Sequence, residues 1–93
     1  MNRELIRSSA FVRAARRYLK KHAQTTDELE ATLLLLSEDA FDPRLKTHKL
    51  KGDLDGVWAC GAGYDLRILF EFVKHEGTES ILLLTLGTHE EVY

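Results

Sequence analysis

Ninety-three residues with 44% hydrophobic and 30% charged side chains have the makeup of one small folded domain, residues 1–93, built on one core. That composition excludes a disordered tail, no apolar run approaches the roughly 20 residues that span a bilayer, and the charged start is unlike a secretory signal, so a cytoplasmic protein with no membrane association is expected. The net charge of −2 hides segregation: residues 1–22 hold seven Lys/Arg against Glu4, residues 23–42 hold six acids and no Lys or Arg, residues 43–52 hold four cations and no acid, and the remainder is acidic.

Glu4-Leu5-Ile6-Arg7 is a short predicted strand, and Ser8 or Ser9 is a good helix N-cap. Phe11, Ala14, Ala15, Tyr18 and Leu19 then fall at helical spacing, which predicts a helix over 9–22 with Arg13, Arg16, Arg17, Lys20 and Lys21 largely off the apolar stripe. Thr25 with Glu28 has the form of a capping box, and Leu29, Leu33 and Leu36 continue the period, so a second helix is predicted over 26–38. The short link between them predicts an antiparallel hairpin. Asp42-Pro43 ends this half, because the residue before proline avoids helical geometry.

The second half reads as sheet. Val57-Trp58-Ala59-Cys60 is β-prone, and Gly61-Ala62-Gly63 supplies a hairpin turn. Tyr64, Leu66, Ile68, Phe70 and Phe72 alternate with Asp65, Arg67, Leu69, Glu71 and Val73 at a period of two. His75 to Glu79 is a polar turn, and Ile81 to Leu86, apolar on both faces, is predicted to be an inner strand. The expected fold is α+β, in the order β-α-α-β-β-β, with the helical hairpin packed on one face of a mostly antiparallel sheet.

If the last two strands fold about a turn near Gly77, Asp65 falls opposite His89 and Arg67 opposite Gly87. Asp65 and Arg67 then share the face away from Leu66, Ile68, Phe70 and Phe72. An exposed Asp, Arg and His is either a salt-bridge cluster or the machinery of phosphodiester cleavage. That reaction needs a base, an acid and a cation for the phosphorane. His is suited to proton transfer near neutral pH, and Arg grips phosphate in bidentate fashion. The basic segment Arg44-Leu45-Lys46-Thr47-His48-Lys49-Leu50-Lys51-Gly52 could track a nucleic-acid backbone, with Arg44, Lys46, Lys49 and Lys51 on phosphate. Its His48 is a second proton-transfer group or a plain loop residue. Trp58 reads as core or as a base-stacking ring, and Cys60, without an activating partner, as an apolar filler. The four histidines and the lone Cys60 show no metal-ligand spacing, and no Gly-rich phosphate loop opens a helix, so neither metal nor cofactor is expected.

The order of elements, Leu45–Gly52, Gly56-Val57-Trp58, Tyr64–Phe70 and Gly87-Thr88-His89-Glu90-Glu91-Val92-Tyr93 together resemble the RelE/ParE superfamily of toxin–antitoxin toxins. Gly-Thr-His followed by a near-terminal aromatic is most similar to its YafQ-type branch. The resemblance implies a toxin that cuts mRNA in the ribosomal A site, with the RNA 2′-hydroxyl as nucleophile, and a cognate antitoxin that neutralises it. It assigns the active site to His48, Asp65, His89 and Tyr93, with Arg67 on phosphate. The YafQ-type pattern has a further Asp and His where this chain has Ala59-Cys60-Gly61-Ala62-Gly63. Two other readings of the resemblance are a ParE-like inhibitor of DNA gyrase that cuts nothing, and a degenerate member kept for binding its antitoxin.

Overall fold

The computed structural model describes residues 2–52, 55–63 and 65–93. Strand β1 (Glu4–Arg7) leads into helix α1 (Ser9–Lys21), and a 3₁₀ turn at Ala23–Thr25 leads into α2 (Thr26–Glu38). A second 3₁₀ turn at Pro43–Leu45 precedes β2 (His48–Lys49), β3 (Trp58–Ala62), β4 (Leu66–His75), β5 (Thr78–Thr88) and a terminal turn of helix, α3 (His89–Val92). The strands form one sheet in the order β1-β5-β4-β3-β2. β1 runs parallel to β5, and the other neighbours are antiparallel. β5 is therefore an inner strand, as its two apolar faces require.

The helices cover one face. Phe11 and Ala14 of α1 and Leu29, Leu33 and Leu36 of α2 bury against Leu66, Ile68, Phe70, Ile81, Leu83 and Leu86. On the same face, Trp58 packs edge-on to Phe41 and Phe72 and is part of the core margin. No helix among the described residues is long and apolar enough to cross a membrane.

Ser8 is the N-cap of α1. Its backbone is extended, and its hydroxyl accepts the Phe11 N–H at 3.0 Å. The same hydroxyl donates to the carbonyl of Leu84 at 3.1 Å. Leu84 is the extra residue of a β-bulge: Phe70 pairs with Leu83 and Leu69 with Thr85. The bulge reverses the alternation of β5, so that Leu83 and Leu86, three apart, both reach the helix side.

The β4–β5 connection is a two-residue turn with positive φ at Glu76 (52°) and Gly77 (80°), the geometry that matches strand twist. Near this turn the register is one residue away from the expected one, with His75 opposite Thr78. Beyond the bulge the expected register holds, with Arg67 opposite Gly87.

Four expectations need correction. The Thr25–Glu28 capping box does not form, because Thr25 closes a 3₁₀ turn and its hydroxyl donates backward to the His22 carbonyl at 2.6 Å. Gly61 and Ala62 belong to β3, which the ladder to Arg67 and Leu66 carries two residues further than predicted. The expected order β-α-α-β-β-β gains the short strand β2 within the basic segment, and it gains the helix α3 at its end. Tyr64, placed at the head of the predicted alternation, lies outside the described residues.

Ser8→Ala removes both the helix cap and the bulge bond. Equilibrium denaturation should show a loss of about 1–2 kcal/mol, against little change for Ser9→Ala, which sits past the cap.

Candidate active site

The face opposite the helices carries the site. Directly opposed residues of an antiparallel pair share a face. His48 pairs with Ala59, Ala59 with Leu69, Gly61 with Arg67, and Arg67 with Gly87. His48 and Arg67 therefore project to the same side. Lys49 pairs with Trp58 and falls on the other side. One cleft is lined by Arg44, Lys46, His48, Gly61, Gly63 and Arg67, and a second by Asp65, Arg67, Thr88, His89 and Glu90. Arg67 is the wall they share.

The Arg67 guanidinium lies across β3. Its Nη1 donates to the Leu66 carbonyl at 3.0 Å and stands 3.5 Å from where a Cβ on Gly61 would be. A side chain longer than alanine at 61 would enter that space. Cys60 beneath is fully buried, and burial pushes its thiol up to about 12 against the opposing pull of Arg67. It is a protonated core group, not a nucleophile.

His48 is exposed, and its Nδ1 is 3.0 Å from the carbonyl of Lys46, which sits in the left-handed region with φ 52°. A carbonyl only accepts, so Nδ1 carries the proton, and neutral His48 offers the lone pair of Nε2. Among the other cations, Arg44 is held by Asp42 through bonds of 3.0 and 2.9 Å, which draw the Asp42 carboxyl down to about 2. Lys46 borders the cleft, whereas Lys49 and Lys51 are exposed outside it.

His89 opens α3. Thr88 is its N-cap, with extended backbone, and a capping box forms: the Thr88 hydroxyl accepts the Glu91 N–H, and the Glu91 carboxylate accepts the Thr88 N–H at 2.8 Å. The Asp65 carboxylate accepts the His89 backbone N–H at 3.4 Å. The expected Asp65–His89 neighbourhood exists, but the contact is with the main chain and not with the imidazole. The His89 ring instead meets the Tyr93 ring edge-on, with centroids 4.5 Å apart. Burial raises the Tyr93 hydroxyl pKa, and the nearby Arg67 charge opposes the rise. Gly87 lets α3 fold back on β5, since a Cβ there would come within 2.9 Å of the Glu91 carboxylate oxygen. Among the described residues no three His, Cys, Asp or Glu side chains gather as a metal site.

Sequence reasoning brought His48, Asp65, Arg67, His89 and Tyr93 to attention, and the fold gathers them around the two joined clefts. It missed Gly61 and Gly87, whose missing side chains give Arg67 and α3 their places. It also missed the Thr88–Glu91 cap, although the Thr-x-x-Glu signature was present.

Helices packed on one face of a five-stranded mixed sheet make this the RelE-like toxin fold. The chain belongs to the YafQ family, described as "Bacterial toxin of type II toxin-antitoxin system, YafQ", which matches residues 3–93. It is similar in fold to YafQ of Escherichia coli BL21(DE3), with 15% identity over 98% of each chain and a TM-score of 0.79. The toxin in the E. coli DinJ–YafQ toxin–antitoxin complex gives 16% identity, 100% of this chain, 99% of that one and a TM-score of 0.77. A metal-bound toxin from Helicobacter pylori gives 26% identity over 100% of both chains and a TM-score of 0.76. No curated protein matches the chain.

The α3 cap generates a pH prediction. The Thr88 N–H, first among the causes, holds the Glu91 carboxyl below its ordinary value of 4.5. A depressed carboxylate pKa contributes stability that is present above the ordinary value and lost as pH falls through the native one. An NMR titration should therefore find the Thr88 amide resonance moving with a midpoint below 4.5.

Proposed function

We propose that this type II toxin is a ribosome-dependent mRNA endonuclease, acting in the cytoplasm and neutralised by a cognate antitoxin. The observation that carries the reading is Arg67 standing between two imidazoles, those of His48 and His89, each in one of the two clefts that Arg67 separates. A binder that cuts nothing has no use for two proton-transfer groups flanking a phosphate-binding cation.

The chemistry follows from those positions. A phosphate seated on Arg67 would have its charge held by the guanidinium as the phosphorane forms. Nε2 of His48 takes the proton of the adjacent 2′-hydroxyl, O2′ bonds to phosphorus, and the bond from phosphorus to O5′ breaks. Protonated His89 supplies the proton to O5′, leaving a 2′,3′-cyclic phosphate and a 5′-hydroxyl. Tyr93 flanks His89 and offers a ring for a flanking base. Lys46 and Arg44 line the path of the strand, and Asp65 fixes the head of α3 that carries His89. The existence of a toxin–antitoxin crystal structure for E. coli YafQ supports an antitoxin partner here.

Primer extension on translating ribosomes tests the reading. His48→Ala and His89→Ala should each slow cleavage by about 10²–10⁴-fold, and Arg67→Ala by about 10²–10³-fold, with unchanged circular dichroism. Cleavage by His89→Ala at the wild-type rate would sink the mechanism. Growth arrest without any mRNA cleavage, together with inhibited supercoiling, would favour the gyrase-inhibitor reading instead.

A further inference from the structure

Glu28 stands where a capping box would turn its carboxylate back to the amide of residue 25, yet that box is not made. The side chain goes elsewhere. Gly63, just after β3, has a φ of +64°, and a Cβ built on it would fall within the Glu28 carboxyl group. The three atoms nearest to that point are Oε1, Cδ and Oε2 of Glu28. The carboxylate thus occupies the space directly over the Gly63 backbone, a place that the absent side chain leaves open.

The segment it covers is the joint of the candidate site. Gly63 lines the cleft that holds His48 and Arg67, and Asp65, two residues on, lines the one that holds His89. Asp65 then accepts the His89 N–H. Glu28, in the first turn of α2, thus covers Gly63 just after β3, and Asp65 bonds the head of α3. We propose that Glu28 is a positioning residue: it holds Gly63 just after β3 and so sets the spacing between the two clefts. Glu28 is exposed, so its removal costs little stability. Its effect lies in geometry, and a displacement of about 1 Å at a reacting group costs up to about 10²-fold in rate.

The activity arm of the test rests on the nuclease reading, and the spectroscopic arm does not. Glu28→Ala should shift the His89 amide resonance in a ¹⁵N-labelled protein and lower kcat by about 10–10²-fold with KM little changed. Glu28→Gln, which keeps the shape over Gly63, should restore the amide position and most of the rate. Glu30→Ala, a neighbouring exposed acid on α2, should neither shift the amide nor lower kcat. An unmoved His89 amide in Glu28→Ala overturns the proposal, and so does a Gln variant as displaced as the Ala variant, since charge and not packing would then be at work. If the wild-type protein cuts no mRNA, the nuclease reading fails, and the amide shifts alone still decide the clamp.

Discussion

One hydroxyl ties the two layers of this fold together. Ser8 Oγ accepts the third amide of α1, that of Phe11, and donates to the carbonyl of Leu84, the residue that the sheet ladder leaves over. A bulged strand has an unpaired group that must find a partner once it is covered. Here the partner belongs to the cap of the helix that does the covering, so α1 cannot dock without fixing the bulge. The bulge in turn reverses the alternation of β5. Without it, Leu86 would leave the core, and Gly87 would turn away from the face that Arg67 shares. The placement of the site is thus a consequence of where the first helix starts.

Beyond the bulge, the site is built by subtraction as much as by addition. Arg67 lies across β3 at Gly61, where a side chain longer than alanine would intrude, and α3 needs the bare backbone of Gly87 to fold back over β5. A guanidinium lying along backbone is pre-aimed, and its one bond among the described residues, to the Leu66 carbonyl, leaves its other donors for an anion. The charges around it follow the same economy. Asp42 takes up Arg44, while Lys46 and His48 face the cleft without an ion-pair partner among the described residues. The net charge of the chain says little about this field, because much of the acid lies on α2 and at the far hairpin.

The sequence announced the helices, the inner strand and the two faces of β4, since periodicity is a direct record of burial. It announced the site less evenly, and the two Thr-x-x-Glu signatures show why. Thr25–Glu28 and Thr88–Glu91 are alike as strings. Thr88 follows a strand and has the extended backbone an N-cap requires, with φ −71° and ψ 165°. Thr25 follows a 3₁₀ turn, with φ −96° and ψ 5°, and its hydroxyl points backward. The signature supplies donors and acceptors, and the preceding backbone decides whether they meet. The expected register failed at the hairpin and held at the site for a comparable reason. A bulge adds one residue to one strand, and nothing in the string Leu82-Leu83-Leu84-Thr85 marks which residue is extra.

The stretch Ala59–Gly63, where YafQ-type chains have a further Asp and His, gains a physical sense from the same geometry. Ala59 and Gly61 share the site face, and the smallness of Gly61 makes the floor on which the Arg67 guanidinium rests. A bulky imidazole at 61 would displace that group. On the nuclease reading the chain therefore exchanges extra titratable groups for a better-seated cation, and proton transfer falls to His48 and His89. The remaining histidines are placed elsewhere: His22 stacks on Tyr18 beyond the end of α1, and His75 meets Glu4 at the hairpin. Two imidazoles and one arginine are the least that such a mechanism needs, one to take a proton, one to give it back and one to hold the charge between. With so few groups the tolerance for misplacement is small. That is the reason to expect that the backbone contacts of Asp65 and the packing of Glu28, rather than further reactive side chains, decide how well this site works.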